Sequence, residues 1–234
     1  KWKRVVIRGG NLVGPEANPA CTFIHEVKLG NQLEKNISHA MRRSANKSER
    51  AGVMVDFGNS PERMATFCHL NCLTRKRHGL PPQPRAWFRN LLQYVLLPGH
   101  GTIALATYQD EVVAGAVFLT SEKKVIYKYG ASNLAHQHLR ANNLLMLTAL
   151  RHFSHEHFET LCLGKSEPFH TGLIRYKESL GGVKRDNWEY TYDIRQKRFV
   201  RAESAVRGVH TRFFSAMPLV LLRTIGSVLY RYMG

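Results

Sequence analysis

Several sets of side chains in this sequence have types and spacings that chemistry can use. Cys68-His69-x-x-Cys72 and the cluster His152, His155 and His157 carry metal donors. Yet Cys68 and Cys72 fall with Met64 on the apolar stripe of a predicted helix, where a reduced thiol packs as a small hydrophobe. No second ligand pair stands at finger spacing, so packing is the expected role and no metal is assigned. Gly164-Lys165-Ser166 ends like a phosphate-binding loop, but the first glycine belongs at position 159, which is Glu159; without it the chain cannot wrap a phosphate. Arg42, Arg43, Lys47 and Arg50 share one predicted helix with only Glu34 and Glu49 nearby, a stripe suited to phosphates or to plain solvation. Tyr127 and Tyr129 stand at the same parity on one predicted strand. A phenol can serve as a general acid, and a strand tyrosine can equally pack with a wet hydroxyl.

The charge around these groups is lopsided. Thirty-four Lys and Arg against 17 Asp and Glu give +17, which points to a polyanionic partner or surface. Residues 1–98 carry 16 bases and 6 acids, residues 99–200 carry 13 and 10, and residues 201–234 carry 5 and 1. A middle near neutrality flanked by basic segments reads as a folded core with anion-attracting surfaces attached. The 234 residues, 44% hydrophobic and 22% charged, suffice for one large domain or a domain and a half and argue against disorder. Cys21, Cys68, Cys72 and Cys162 lack the spacing of a disulfide scaffold, so a reduced, cytoplasmic setting is expected. The first residue, Lys1, suggests a start inside a longer reading frame.

The elements that must position these residues follow from periodicity and punctuation. Strands are predicted over 1–9 and 21–28, a helix over 32–50 with Leu33, Ile37 and Met41 at spacing four, and a strand over 53–57. Ser60-Pro61 opens a helix to about 78, and a second runs from about 84 to 97. Three strands (102–108, 112–120, 124–129) are joined by Gln109-Asp110 and Ser121-Glu122-Lys123, turns so short that the strands must be antiparallel neighbours. Then come a helix over 140–155, a buried strand over 160–163, a helix over 171–180, a strand over 183–194 and an apolar helix over 213–233.

The order β-α-α-β-β-β-α-β-α-β from Val53 to Ile194 resembles the GNAT (acyl-CoA N-acyltransferase-like) fold, an α/β class with a mixed sheet and flanking helices. Leu33-Glu34-Lys35-Asn36-Ile37, Arg42-Arg43-Ser44-Ala45-Asn46-Lys47 with Gly52-Val53, Tyr129-Gly130-Ala131-Ser132, Asn142-Asn143-Leu144-Leu145, Leu163-Gly164-Lys165-Ser166, Gly172-Leu173-Ile174-Arg175-Tyr176-Lys177 and Leu180-Gly181-Gly182 resemble the Fem-type peptidyltransferases. Those relatives move amino acids from aminoacyl-tRNA onto cell-wall precursors, and looser relatives act in exopolysaccharide or envelope biosynthesis. Fem-type proteins carry two GNAT-like lobes. The resemblance therefore implies the end of a partial first lobe over 1–50, a complete lobe over 51–200 and a C-terminal amphipathic segment over 201–234.

The resemblance implies an acyl or aminoacyl transferase with no permanently bound cofactor. Its donor would be aminoacyl-tRNA or acyl-CoA, and its acceptor an amine of a cell-envelope or polysaccharide precursor. Acyl-CoA enzymes of this fold cradle pyrophosphate with a glycine-rich loop after the fourth strand. Here that loop, Tyr129 to Arg140, has no second glycine, which lowers the expectation for CoA. The family's usual Gly-Arg-Ser is Gly164-Lys165-Ser166, which keeps the charge and loses the bidentate fork. The reaction needs an ammonium proton removed, a donor for the oxyanion and a proton for the leaving group. The resemblance offers Tyr129 and Lys177 as catalytic residues, Lys177 standing where the family places a lysine near the tRNA acceptor end. Arg42, Arg43, Lys47, Tyr127, Ser132, Asn142, Asn143, Lys165, Ser166, Arg175 and Tyr176 are the substrate-binding candidates. A lysine at 177 can equally be a solvated helix residue. The terminal helix, with Phe213, Phe214, Leu219, Leu222, Ile225, Val228, Leu229 and Tyr232 interrupted by Arg212, Arg223 and Arg231, suits the anionic inner face of a membrane, a cap on the core or a contact with the missing lobe. A catalytically inactive RNA- or membrane-binding module is the reading from another class, and steep salt dependence of RNA binding would mark it.

Overall fold

Local signals place most elements within a residue or two. Ser38 caps a helix by accepting from the Met41 N–H, and Ser60 accepts from the Arg63 N–H with Pro61 in the first turn behind it. Gln109, Asp110 and Glu122 take the positive φ that the tight hairpin turns require. A computed structural model describes residues 3–9, 19–200 and 209–230. Its elements in order are β1 (Arg4–Gly9), β2 (Ala20–Lys28), α1 (Leu33–Asn36), α2 (His39–Arg50), β3 (Met54–Gly58), α3 (Pro61–Arg77) and α4 (Arg85–Leu91). There follow β4 (Gly101–Tyr108), β5 (Glu111–Ser121), β6 (Lys124–Ser132), α5 (Ala141–His155), β7 (Thr160–Ser166) and α6 (Thr171–Ser179). The chain closes with β8 (Gly182–Asp193), β9 (Arg198–Val200), α7 (Val209–Ala216) and α8 (Leu219–Leu229).

Three expectations shift. The predicted helix over 32–50 is two helices, because Ile37 is extended and Ser38 begins a new cap. The second helix of the central pair continues past α4 as a π-helical turn, Leu92–Leu96. The terminal helix is broken into α7 and α8 at Met217-Pro218: the proline ring disfavours helical geometry at Met217, and Pro218, with extended backbone, is the N-cap of α8. The expected apolar residue Tyr232 lies outside the described residues, as do Arg231 and the segment 201–208.

Among the described residues the strands form one mixed sheet in the order β1-β8-β2-β7-β6-β5-β4-β3, with β9 on β8. Every pairing is antiparallel except β6 with β7. One face carries α2, α5 and α6 over a core that includes Met41, Phe118, Val125, Leu145, Phe153 and Leu161. The other carries α3 and α4 over Met64, Phe67, Phe88, Ile103, Val117 and Ala131. Burial on both faces explains why β4 and β5 read as nearly continuous apolar runs. Residues 20–50 are knitted into the same sheet and core as the rest: β2 lies between β7 and β8, and Leu33, Ile37, Met41 and Ala45 share a cluster with α5.

Candidate active site

The site is built where β6 and β7 part. They pair in parallel over only three residues, Lys124–Ile126 with Thr160–Cys162, while the other edge of β7 pairs with β2 from Thr160 to Ser166. After Ile126 the backbone of β6 has no strand partner on that side among the described residues. Gly164, at φ +74, turns the end of β7 in a conformation that a side chain would strain.

The two strand tyrosines do not share a face, which corrects the parity read from the sequence. Phe118 is opposite Tyr127 and Val117 opposite Tyr129, so Lys128 is an extra residue with no partner on β5. Such a bulge reverses the alternation beyond it relative to the neighbouring strand, and the two phenols are carried to different cores. Tyr127 packs on Phe118 on the α5 side. Its hydroxyl lies against Gly130, where any Cβ would overlap it, and burial pushes its pKa up to about 12. Tyr129 faces α4, edge-on to Phe88, and its hydroxyl accepts a hydrogen bond from Trp87 Nε1 at 3.0 Å. Burial raises the Tyr129 pKa and the Trp87 bond opposes that rise.

Lys177 is buried, with 5% of its surface exposed. Its Nζ donates to the carbonyl oxygens of Gly164 at 2.8 Å and Lys165 at 3.0 Å, tying α6 to the end of β7. Burial lowers its pKa from 10.5 to about 8. This is no solvated helix lysine: its ammonium is held beside the parting strands. Tyr176, one residue earlier, packs on the same core and donates to the Asn142 carbonyl at 3.4 Å, joining α6 to the first turn of α5. Burial raises its pKa.

The other predicted residues divide. Ser132 ends β6 with its backbone fixed by Thr74 of α3: its N–H donates to Thr74 Oγ1 at 2.9 Å, and that hydroxyl donates back to the Ser132 carbonyl at 3.2 Å. Asn142 and Asn143 lie in the first turn of α5, which follows Arg140 in left-handed backbone and has no side-chain cap. Ser166 is buried with its hydroxyl unpartnered, and Lys165 points outward to Glu167 at 3.5 Å and Glu189 at 3.8 Å. Arg175 is exposed on α6. Arg42 does not join the basic stripe of α2: its guanidinium donates to the Glu34 carbonyl at 2.6 Å and lies 3.2 Å from His39 Nδ1, while Arg43, Lys47 and Arg50 are exposed. That stripe sits on the α5 side of the sheet, away from Tyr129.

Two residues around the parting escaped the sequence reading. His25 of β2 is fully buried, both its ring nitrogens lack a partner among the described residues, and burial followed by the Lys177 charge lowers its pKa. Nothing local marks it, since its neighbours arrive by β2 insertion. Trp87 stands on the helix predicted over 84–97, and only the fold brings its N–H to Tyr129. Among the described residues no group of three or more potential metal ligands comes together. Cys68 sits in the wall of α3 with its thiol pushed up to about 12 by burial, as a packing residue behaves.

A family model described as an acetyltransferase (GNAT) domain matches residues 35–178. No curated protein matches. Among solved structures, FemX superposes with a TM-score of 0.64 at 14% identity, covering 74% of this chain and 62% of FemX. L-PGS from Bacillus licheniformis gives 0.55 at 13% identity, covering 96% of this chain and 67% of that one. A GCN5-related N-acetyltransferase from Sphaerobacter thermophilus gives 0.54 at 11%, covering 82% and 61%. At such identities these likenesses establish the fold. The chain spans less than two thirds of the length of FemX.

Proposed function

Because the chain belongs to the GNAT acetyltransferase family, we propose that it is an acyltransferase and moves an acyl or aminoacyl group from an anionic donor to an amine of a cell-envelope or polysaccharide precursor. Lys177 carries this reading. An ammonium with three donors gives two to the carbonyls of Gly164 and Lys165, and the third remains for a substrate oxygen. In the reaction the acceptor nitrogen forms a bond to the donor carbonyl carbon, the carbonyl oxygen becomes anionic, and the bond to the leaving oxygen or sulfur breaks as that atom takes a proton. A buried cation at the parting strands stabilises the anionic oxygen more than it would in water. With its pKa lowered to about 8, Lys177 is also suited to give a proton to a leaving alkoxide. In this reading Tyr129, on the other face, meets the acceptor.

An aminoacyl ester of tRNA is the donor we favour, on the basic balance of the chain and the single glycine in the loop after Tyr129. The Fem-like fold supports it. Acyl-CoA is the second reading, favoured by the family match and the uncapped first turn of α5. Thermal shift with acetyl-CoA, aminoacylated tRNA and uncharged tRNA at two salt concentrations separates them. Stabilisation by charged over uncharged tRNA that persists in salt is the expected result, and stabilisation by acetyl-CoA alone moves the assignment to acyl-CoA. Binding of both tRNAs alike, abolished by salt, would leave only a basic docking surface. The precursor's membrane setting would place the enzyme at the inner face of the membrane as a peripheral protein; among the described residues no helix is long and apolar enough to cross one.

A further inference from the structure

Beside Tyr129, on the face of the sheet away from Lys177, lies a cavity of about 1170 Å³ between α3, α4 and α8. Pockets for compact small molecules run to roughly 300–1,000 Å³, so this one is large for such a ligand. Its walls are mainly apolar, with Met64, Trp87, Leu92, Val220 and Val228 among them. Among the described residues, those with charged side chains in the lining are Arg85, Arg89 and Arg223, with no carboxylate. Arg223 Nη2 lies 3.2 Å from His69 Nδ1, and its buried Nε has no partner among the described residues. A guanidinium N–H withheld from both water and protein is costly unless an acceptor arrives.

The outer wall, α8, is fixed at few points. Leu222 is fully buried, and a Cβ at Gly226 would overlap the Pro82 carbonyl. Around them Val220 (73% exposed), Leu221 (55%) and Val228 (57%) are left uncovered. The cavity reaches the candidate chemistry through Trp87, which lines it, donates to the Tyr129 hydroxyl and packs 6.1 Å from the Tyr230 ring.

We propose that this cavity binds the hydrocarbon chain and anionic head of an amphiphile that carries the acceptor amine, and that it is the acceptor side of the enzyme. The apolar walls take the chain, the arginines take the charge, and Leu221 and Leu229, exposed on α8 outside the lining, lie against the lipid surface from which the molecule is drawn. The acceptor role rests on the function proposed above; the binding does not.

The test uses the full chain and two probes below their micelle concentrations, dodecyl phosphate and dodecylphosphocholine, with palmitate to distinguish a carboxylate head from a phosphate. Calorimetric titration is expected to show saturable binding, with the anionic phosphate preferred over the zwitterion by about tenfold. Ala65→Trp and Ser227→Trp, at exposed lining positions, are expected to weaken every probe, and Arg89→Gln with Arg223→Gln to erase the preference for the anions. Unsaturable binding, or saturable binding untouched by both tryptophan variants while circular dichroism shows them folded, overturns the proposal. Equal affinity for phosphate and zwitterion overturns its head-group half. Probe binding without transfer from any donor would sink the enzymatic reading and leave the lipid site standing; transfer to a soluble amine without probe binding does the reverse.

Discussion

On the side of β6 that packs against α5 and α6, Tyr127, Tyr176 and Lys177 are pressed together around the parting of β6 and β7, and burial shifts the pKa of each. On the side that packs against α3 and α4, Tyr129 meets a half-exposed tryptophan at the edge of a large cavity. The two regions are separated by the thickness of one strand and joined by one bulge at Lys128. The closed side withholds solvent from a charge, which suits a group that stabilises or protonates. The open side offers volume, which suits a bulky partner. A transferase that joins two substrates needs both.

Lys177→Ala tests the closed side most severely. Transfer measured under single-turnover conditions is expected to fall about 10²- to 10⁴-fold, and unchanged transfer in a folded variant would remove Lys177 from the chemistry. The same lysine has a signature in stability. Between its folded value of about 8 and its ordinary 10.5, the unfolded chain holds a proton that the folded chain has released. Stability therefore rises with pH across that window, and the cost of the buried charge, at most about 3 kcal/mol, is fully present below pH 8. Denaturant midpoints from pH 7 to 10.5 should show this slope, and Lys177→Met should flatten it. Activity that needs the ammonium moves oppositely, falling as pH passes 8.

Gly130→Ala probes the packing of the same side. Its new Cβ overlaps the Tyr127 hydroxyl, so a loss of about 1–3 kcal/mol is expected in urea unfolding. Tyr127→Phe in the same chain should recover part of it. The open side is more forgiving. Trp87→Phe removes one hydrogen bond at a partly exposed position and should cost no more than about 0.5–1.5 kcal/mol. A larger loss there would mean that the two sides are equally rigid and the contrast between them false.

Features marked by neighbouring residues were legible in the sequence. Ser60-Pro61, the two hairpin turns and the apolar periods of α5 and β7 lie where the spacing predicts them. So does the meander of β4, β5 and β6, because short connections allow no other pairing. Features set by distant residues were not. No glycine or proline marks position 128, and a bulge there is visible only in the register against β5. The burial of Lys177 depends on the end of β7 bending over α6, and periodicity on α6 alone presents it as one more lysine on a charged helix. The break before α8 had a local signal in Pro218; the apolar run around it hid that signal.

The insertion of β2 has a consequence in time. Phe23 pairs with Ser166 on one side and Asp186 on the other, contacts about 140 to 165 residues apart along the chain. The meander from β4 to β6 can assemble from near neighbours, but β7 and β8 cannot close until this early strand returns to lie between them. Contacts of such separation make folding slow. A ribosome must therefore finish most of the chain before the surroundings of Lys177 are in place. Until then the free edge of β2 is exposed to any strand that reaches it first.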